Sequence, residues 1–342
     1  MLQLGLKPSR PVISVVAPCY NEEETLPEFV RRVVGACARE GVPYEVVLVN
    51  DGSRDKTWVL MQSLAAKHPQ LVCVNLSRNH GHQLALSAGL SIARGERVLV
   101  LDADLQDPPE LLREMMALMD RGHDVVYAQR RTRRGESVFK LAACAAFYRI
   151  IDKLTETPIP LDTGDFRLIS RRALDVLLSM PERHRFIRGM VSWIGFSQAP
   201  LLYDRDPRFA GETKYPLFKL VRLAKDGVTS FSNKPLTWAS AVGFCFALFA
   251  FGLFVYSVVS WLWFDTPQGW ASVMAGVALL GGVQLVVLGI IGEYLGRVYD
   301  QTKGRPLFIV QDVVRGGDAG IVEPKPSTVG EAGAFVHAGR AE

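Results

Sequence analysis

Three oxygen-bearing side chains follow a short apolar run at every second position. Residues 98–101 (VLVL) are apolar, and Asp102, Asp104 and Gln106 come after them. Because side chains alternate between the two faces of an extended chain, this spacing places all three on one side. Carboxylate and amide oxygens suit Mg²⁺ or Mn²⁺, cations that bind diphosphates. The segment therefore predicts a divalent-metal site at a strand end, and two solvated aspartates in an ordinary turn are the alternative.

Two further loops carry polar groups directly after a β-rich run. Pro18, Tyr20 and Glu22 follow residues 12–17, and Asp51 follows residues 44–50. A carboxylate at such a position can hydrogen bond a ribose hydroxyl or a nucleobase, although Asp-Gly is also an ordinary turn pair. The first loop has no G-x-G-x-x-G pattern, which counts against a dinucleotide-binding Rossmann domain.

Strands and helices alternate through the first half of the chain. The predicted strands are 12–17, 44–50, 72–77, 97–101 and 124–128, and the predicted helices are 24–39, 56–67 and 83–93. This alternation indicates a mostly parallel sheet covered on both faces, with ligands at the carboxyl ends of its strands. The three loops above share that edge. Asp107, Pro108 and Glu110 predict a capped start for the next helix.

Two apolar runs near the C-terminus predict membrane-spanning helices. Residues 236–264 and 270–291 contain no Lys, Arg, Asp or Glu, and each exceeds the roughly 20 residues that cross a hydrocarbon core. Basic residues flank the pair on the outside but not in the short connection, which predicts that both long ends are cytoplasmic. Basic amphipathic segments at 137–154 and 216–234 predict helices on the membrane surface, with packing on the sheet as the alternative for the first.

The composition of the chain narrows the classes of function that remain. The 342 residues carry a net charge of +4, and the arginine-rich segment 129–135 suits phosphates or anionic lipid rather than nucleic acid. The five cysteines show no paired spacing, which predicts reduced thiols in the cytosol. Residues 1–10 contain no apolar stretch of the kind found in a signal peptide.

Several motifs together resemble the inverting family 2 glycosyltransferases of the GT-A fold, and more closely the polyprenyl-phosphate glycosyltransferases. That subgroup includes bactoprenol glucosyltransferases and dolichyl-phosphate mannose synthases. The resemblance runs in order from about residue 14 to residue 310. The matching segments are 16–23 (VAPCYNEE), 49–57 (VNDGSRDKT), 76–83 (LSRNHGHQ), 101–109 (LDADLQDPP), 164–168 (GDFRL), 185–189 (RFIRG), 211–215 (GETKY) and 292–297 (GEYLGR).

The resemblance implies a fold and a domain order. The fold is α/β, a GT-A (Rossmann-like, mostly parallel sheet) catalytic domain plus amphipathic interfacial helices and two C-terminal transmembrane helices. The expected parts are a cytoplasmic catalytic domain at 1–215, an interfacial helix at 216–234, two transmembrane helices at 235–292, a cytoplasmic segment at 293–315 and a disordered tail at 316–342.

The resemblance also implies roles for individual residues. Nucleotide-sugar contacts fall on Pro18, Tyr20, Glu22, Asp51 and Asp102. The metal ligands for Mg²⁺ or Mn²⁺ are Asp104 and Gln106 with Asp102. Phosphate or acceptor contacts fall on Arg130, Arg133, Arg134, Arg167 and Lys214. The catalytic group comprises Asp165, Asp104 and Arg130.

Asp165 occupies the position often proposed as a catalytic base. A phosphate monoester has a second pKa near 6, so the acceptor needs little proton removal at neutral pH. We therefore favour Asp165 as an organiser of the site, with base catalysis secondary. His80 and His82 depart from the residues usual in the family, and we expect them to pack or contact the sugar rather than bind metal.

The implied activity is transfer of one sugar, with UDP-glucose as first candidate, to polyprenyl (undecaprenyl) phosphate. It would occur on the cytoplasmic leaflet of the inner membrane and serve cell-envelope glycan modification. The expected assembly is a homo-oligomer, a tetramer in relatives, with residues 306–314 pairing between chains; no nucleic-acid partner is expected. The donor remains open among UDP-linked galacturonate, N-acetylhexosamine or formylated aminopentose, and GDP-mannose.

Two other functions compete with this interpretation. A processive polysaccharide synthase is disfavoured because the chain has no Gln-x-x-Arg-Trp motif and only two predicted spans. A non-catalytic membrane adaptor with a dead transferase fold is disfavoured by the intact acidic triad and the basic clusters.

Overall fold

The computed structural model describes residues 11–131, 163–205, 234–263 and 269–317. Their described parts form two compact units, one containing a β-sheet with its helices and the other containing two long helices. The predicted interfacial segments lie outside these residues, apart from Lys234, and so does the tail beyond Gly317.

The centre of the sheet is parallel, as the alternating pattern predicted. Its strands are β1 (Ile13–Cys19), β2 (Tyr44–Asn50), β3 (Leu71–Leu76) and β4 (Arg97–Val100). They lie side by side in the order β3-β2-β1-β4. Helices connect them: α1 (Leu26–Ala38), α2 (Thr57–Lys67) and α3 (His82–Ile92). Every residue of β1 is buried, as expected for a strand covered on both faces.

The remaining strands enlarge the sheet to eight within the described residues. They are β5 (Val125–Arg130), β6 (Thr163–Ser170), β7 (Gln198–Tyr203) and β8 (Val310–Arg315). The order is β7-β5-β6-β4-β1-β2-β3-β8, and β6 runs antiparallel between β4 and β5. The accompanying helices are α4 (Leu112–Asp120), α5 (Arg171–Ser179) and α6 (Ile187–Trp193). Of these four strands, the sequence pattern predicted only β5.

Strand β8 overlaps residues 306–314, for which the sequence predicted pairing between chains; β8 is the outermost strand, and that pairing stays a prediction. Strand β8 pairs antiparallel with β3 of the same chain. Its two ends are fixed by backbone hydrogen bonds, from Ser77 N to Ile309 O (3.0 Å) and from Gly316 N to Leu71 O (2.7 Å). The pairing has a plain physical reason, since β8 covers the backbone groups that an open β3 edge would expose.

The second unit consists of α7 (Lys234–Trp263) and α8 (Trp270–Thr302), which pack against each other. Within the described residues, Leu279–Thr302 is the one helical segment long and apolar enough to cross a membrane, and Leu236–Gly252 is a shorter apolar one. The prediction of two spanning helices is therefore supported for one of them. Helix α8 also continues eleven residues past the predicted end at 291, into the segment predicted as a separate cytoplasmic part.

Helix α3 lies close to the sheet at Gly89. A Cβ atom there would lie 2.4 Å from Val16 Cγ1 and 2.9 Å from Val49 Cγ2. Both valines are buried and β-branched, so neither side chain can rotate away freely. The missing side chain thus sets the distance between the sheet and α3, the helix that begins with His82.

Two helical glycines give a matched test of this packing. We expect Gly89→Ala to lower the free energy of unfolding by about 1–3 kcal/mol through overpacking. Gly35, inside α1, has open space where a Cβ would lie, and Gly35→Ala should raise stability by about 0.5–1 kcal/mol through helix propensity. Chemical denaturation of both variants measures the difference, and equal effects would contradict the close approach at Gly89.

Candidate active site

The three polar loops identified in the sequence lie at one edge of the sheet. Strands β1, β2 and β4 are parallel neighbours, with Cys19 beside Asn50 and Val16 beside Val100. Their carboxyl ends therefore open onto the same side, which confirms the predicted edge. This edge includes the point between β1 and β4 where the strand order reverses, the usual ligand position in open α/β sheets.

The first two loops are tied together by hydrogen bonds. Asn21 N donates to Ser53 Oγ (3.0 Å), and Arg54 N donates to Asn21 Oδ1 (2.8 Å). Glu22 N donates to Thr57 Oγ1 (2.9 Å). Asn21 has φ of 56°, a left-handed conformation that asparagine tolerates better than most residues. The two loops thus form one surface rather than two independent segments.

The predicted nucleotide contacts of the first loop differ in exposure. Tyr20 is 42% exposed, whereas Pro18 is buried within β1. The Glu22 carboxylate accepts a hydrogen bond from Thr25 Oγ1 (2.6 Å) at the start of α1. Tyr20 therefore offers an open aromatic ring, and Glu22 is held in place by its own helix.

Asp51 braces the loop that precedes α3. It is 3% exposed, and its two carboxylate oxygens accept the backbone N–H groups of His80 (2.7 Å) and Gly81 (3.0 Å). Burial raises the pKa of Asp51, while these two hydrogen bonds oppose the rise. Gly52 (φ 64°) passes so close to this loop that a Cβ would lie 2.4 Å from Asn79 N. A glycine is therefore required beside Asp51.

The acidic segment keeps the predicted alternation through a turn instead of an extended strand. Strand β4 ends at Val100, and Gln106 N donates to Asp104 Oδ1 (3.1 Å) inside the turn. Asp102, Asp104 and Gln106 are half-buried, whereas the residues between them are buried. Leu105 has φ of 61°, a conformation that costs a non-glycine residue about 1–2 kcal/mol. Its side chain lies in the core, which offsets that cost.

Asp107 does not cap a helix, contrary to the prediction. Its buried carboxylate accepts a hydrogen bond from Tyr203 Oη (2.5 Å) and lies 3.7 Å from Arg205 Nε. The helix begins instead as a short 3-10 turn at Pro109–Leu111 without a side-chain cap. Glu110 pairs with Arg32 on α1 (2.7 Å). A partner from β7 has thus replaced the local capping interaction.

Asp165 is the most heavily hydrogen-bonded carboxylate of the site. It is 2% exposed in β6. His82 Nε2 (3.0 Å), Gln83 Nε2 (3.1 Å) and Arg188 Nη2 (3.3 Å) all donate to its Oδ2, and Arg188 Nε (2.8 Å) donates to its Oδ1. Burial alone would raise the pKa of Asp165, but the charge of Arg188 and the hydrogen bond from His82 hold it well below its usual range.

His82 stands between two carboxylates. Its Nε2 lies 3.0 Å from Asp165 Oδ2 and 3.5 Å from Asp102 Oδ1, and 43% of its side chain is exposed. Burial lowers the pKa of His82, but the hydrogen bond to Asp165 and the charge of Asp102 outweigh this and raise it to about 9. The imidazole is therefore a cation at neutral pH, placed between two carboxylates.

Two of the arginines predicted to contact phosphate, Arg167 and Arg130, lie in different surroundings. Arg167 is 4% exposed, and its guanidinium donates to the backbone carbonyls of Gly164 (2.9 Å) and Asp165 (3.3 Å). Burial lowers its pKa to about 10. This buried position does not fit the predicted contact with an acceptor phosphate. Arg130 is the last residue of β5 and hydrogen bonds to Tyr203. Its Nη2 lies 3.7 Å from the position that a Cβ would take at Gly164.

The sequence left Arg188 without a role and gave His82 only packing or sugar contact. Both lie in segments that carry the family resemblance, at 76–83 and 185–189, and this was the one indication in the sequence that they belong to the site. Their joint contact with Asp165 depends on packing between residues distant in the chain, since Asp165 is 83 positions from His82 and 23 from Arg188. Arg133, Arg134 and Lys214 lie outside the described residues.

The acidic turn has donors suited to a hard cation. Asp102 Oδ1 is buried and receives no hydrogen bond from the residues that the structure describes. Burial raises the pKa of Asp102 to about 6, and His82 opposes the rise. The negative charges of three nearby carboxylates raise the pKa of Asp102 further, namely those of Asp165, Asp107 and Asp104. A divalent cation would relieve this repulsion, although the described residues contain no group of three His, Cys, Asp or Glu in metal-binding arrangement.

Comparison with known proteins identifies the family. The model of Glycosyl transferase family 2 matches residues 14–178. The chain is 44% identical over 300 residues to the uncharacterized glycosyltransferase YkcC of Bacillus subtilis (strain 168), an alignment that covers 87% of this chain and 93% of that protein. It is 36% identical over 305 residues to the SfII prophage-derived bactoprenol glucosyl transferase of Shigella flexneri, covering 89% and 99%.

Among solved structures, glucosyl-3-phosphoglycerate synthase from Mycobacterium tuberculosis in complex with Mn²⁺, uridine-diphosphate and phosphoglyceric acid is 20% identical. That match covers 64% of this chain and 76% of that one, with a TM-score of 0.44. The sequence relatives carry the assignment, since they align over almost their whole length at 36–44% identity. The chain therefore belongs to glycosyltransferase family 2 and is a transferase enzyme.

Proposed function

We propose that the protein transfers one sugar from a nucleotide-sugar, UDP-glucose first, to polyprenyl (undecaprenyl) phosphate. The observation that carries this proposal is the relationship to a bactoprenol glucosyl transferase over 99% of that relative's length. A second support is the charge layout of the site, where cationic His82 lies between Asp165 and Asp102 and Arg188 pairs with Asp165. Such a layout suits a reaction between two phosphate-bearing substrates.

Inversion requires the acceptor to attack from the side opposite the leaving group. A phosphate oxygen of the lipid forms a bond to the anomeric carbon of the sugar, and the bond from that carbon to the nucleoside diphosphate breaks. The negative charge passes to the leaving diphosphate. Because the acceptor is already mostly dianionic at neutral pH, no strong base is needed.

The proposed nucleotide contacts lie on the surface formed by the first two loops. Tyr20 presents its ring there, and Pro18, Glu22 and Asp51 are the other proposed contacts of the nucleotide in these loops. Asp102, Asp104 and Gln106 would hold Mg²⁺ or Mn²⁺, which supplies positive charge to the diphosphate when bound. Arg130 is the described arginine proposed to face phosphate. Arg133, Arg134 and Lys214 complete that proposed set.

Asp165 acts in this proposal as an organiser rather than a base. A carboxylate whose pKa lies well below the usual range is a poor proton acceptor, and both of its oxygens already receive hydrogen bonds. It instead fixes His82 and Arg188 in one orientation, at the place where the acidic turn begins.

The proposed location is the inner (cytoplasmic) membrane, with two spanning helices and a cytoplasmic catalytic domain. Large apolar side chains are exposed on both long helices, including Phe244 (66%) and Leu285 (71%). Apolar surface of this extent is expected to contact lipid or protein. The tetramer remains a prediction, which light scattering on the detergent-purified protein measures.

A transfer assay tests the proposed reaction. Purified protein is incubated with undecaprenyl phosphate, Mn²⁺ or Mg²⁺, and radiolabelled UDP- and GDP-sugars in turn. We expect one labelled lipid, formed from UDP-glucose. A labelled lipid from GDP-mannose would identify a mannose synthase, and a labelled polymer a processive synthase. If no donor labels the lipid, the proposal fails.

Substitution of Asp104 tests the metal site. We expect Asp104→Ala to abolish transfer because the metal would lose a carboxylate ligand, while membrane insertion remains normal. Asp120→Ala is the matched control, since Asp120 is exposed on α4 and its ion pair with Arg97 is of the weak surface kind. Labelled-lipid formation and membrane flotation are measured for both, with EDTA treatment of the wild type in parallel. Undiminished turnover of Asp104→Ala would refute the metal role.

Substitution of Asp165 separates an organiser from a base. We expect Asp165→Asn to reduce kcat by about 10²–10³-fold, the size of a lost preorganised electrostatic group. The loss should persist as pH is raised, because no proton transfer has been removed. Asp175→Asn, exposed on α5, is the control. Recovery of the Asp165→Asn rate at high pH would instead assign a base role.

A further inference from the structure

Three polar side chains form a row across the edge of the sheet. Asn50 on β2 is in register with Asn75 on β3, which is in register with Asp312 on β8. Asn50 Nδ2 donates to Asn75 Oδ1 (2.7 Å), and Asn75 Nδ2 donates to Asp312 Oδ2 (3.1 Å). A continuous chain of hydrogen bonds thus connects the C-terminal strand to the end of β2.

The carboxylate at the end of this row sets the direction of every bond in it. A carboxylate only accepts hydrogen bonds, so the Asn75 amide must turn its NH₂ group toward Asp312. The Asn75 oxygen then faces the NH₂ group of Asn50, and the Asn50 oxygen is left to accept from Ser53 N (3.2 Å). Hydrogen bonds in such a chain polarise one another, so the anion at one end strengthens the others.

The row ends in the loops proposed to bind the nucleotide. Ser53 provides the last bond through its backbone N–H, and its Oγ accepts from Asn21 N (3.0 Å) in the first loop. Asn50 directly precedes Asp51, and Asn21 lies between Tyr20 and Glu22. The orientation set by Asp312 therefore reaches both halves of the proposed nucleotide surface.

We infer that Asp312 is a positioning residue for the donor nucleotide, acting through Asn75 and Asn50. This inference rests on the proposed function, because a bound nucleotide-sugar is what the two loops would position. The residue touches no substrate itself. It belongs to a strand that follows α8 in the chain, so the C-terminal segment supplies part of the donor site.

Removal of the carboxylate should loosen the loops and weaken donor binding. We expect Asp312→Ala to raise the KM for UDP-glucose about tenfold with kcat within about twofold, the effect of losing a hydrogen bond to a charged group. Hydrogen–deuterium exchange at residues 50–57 should accelerate by a similar factor. Gln311→Ala is the control, since Gln311 is the exposed neighbour on the same strand. It should change neither quantity.

Exchanging the two polar groups provides a rescue test. Asn75→Asp alone places two carboxylates against each other and should raise KM at least as much as Asp312→Ala. Adding Asp312→Asn restores the pattern, because the new amide donates to the new carboxylate, which still accepts from Asn50. We expect the double variant to return to within about threefold of the wild-type KM.

These measurements separate the inference from the proposed function. If the wild type transfers sugar from no donor, the proposed function fails, while the exchange rates still report whether Asp312 orders the loops. Unchanged exchange at residues 50–57 in Asp312→Ala overturns the inference. A loss confined to kcat, or a double variant as impaired as Asn75→Asp, overturns it as well.

Discussion

A buried charge has to be paired, and the pairing of Asp165 joins three elements that are distant in the chain. The carboxylate lies in β6, and its donors come from α3 and α6. Removing an ion from water costs several kcal/mol unless strong partners replace the solvent. The ionised form is kept here only because His82 and Arg188 both face it. A shift of either helix would remove one of the two cations that pair with this charge, so the network helps to hold both helices against β6.

The carboxylates of the acidic turn differ in the partners that stabilise their charge. Asp107 accepts a hydrogen bond from Tyr203 and lies 3.7 Å from Arg205 Nε, whereas among the described residues Asp102 has His82 at 3.5 Å and a buried oxygen without a hydrogen bond. The Asp102 oxygen is therefore the place in the turn that a cation would suit best. In the proposed reaction, a divalent cation held there would lower the repulsion between this carboxylate and an anionic donor.

Local patterns predicted the features that depend on local sequence. The apolar runs of β1 and β2 and the helices between them follow from periodicity, and the alternation of Asp102, Asp104 and Gln106 survives although the chain turns at Leu105. Contacts between residues that are distant in the chain could not be predicted from these patterns. Arg167 and Arg188 both lie in recognised motifs, yet only the fold shows that one is buried against carbonyl groups while the other pairs with Asp165. Asp107 failed as a cap because its partner is 96 residues away.

The position of β8 ties the catalytic sheet to the end of the chain. The strand that completes the sheet beside β3 comes after both long apolar helices, so the sheet cannot close until those helices have been synthesised. A fragment ending before α7 would contain every residue proposed to bind metal and sugar. It would nevertheless expose the edge of β3 and leave Asn75 without its carboxylate partner. The two long apolar helices are thus not a simple addition to a finished sheet, since the strand that completes the sheet beside β3 follows them in the chain.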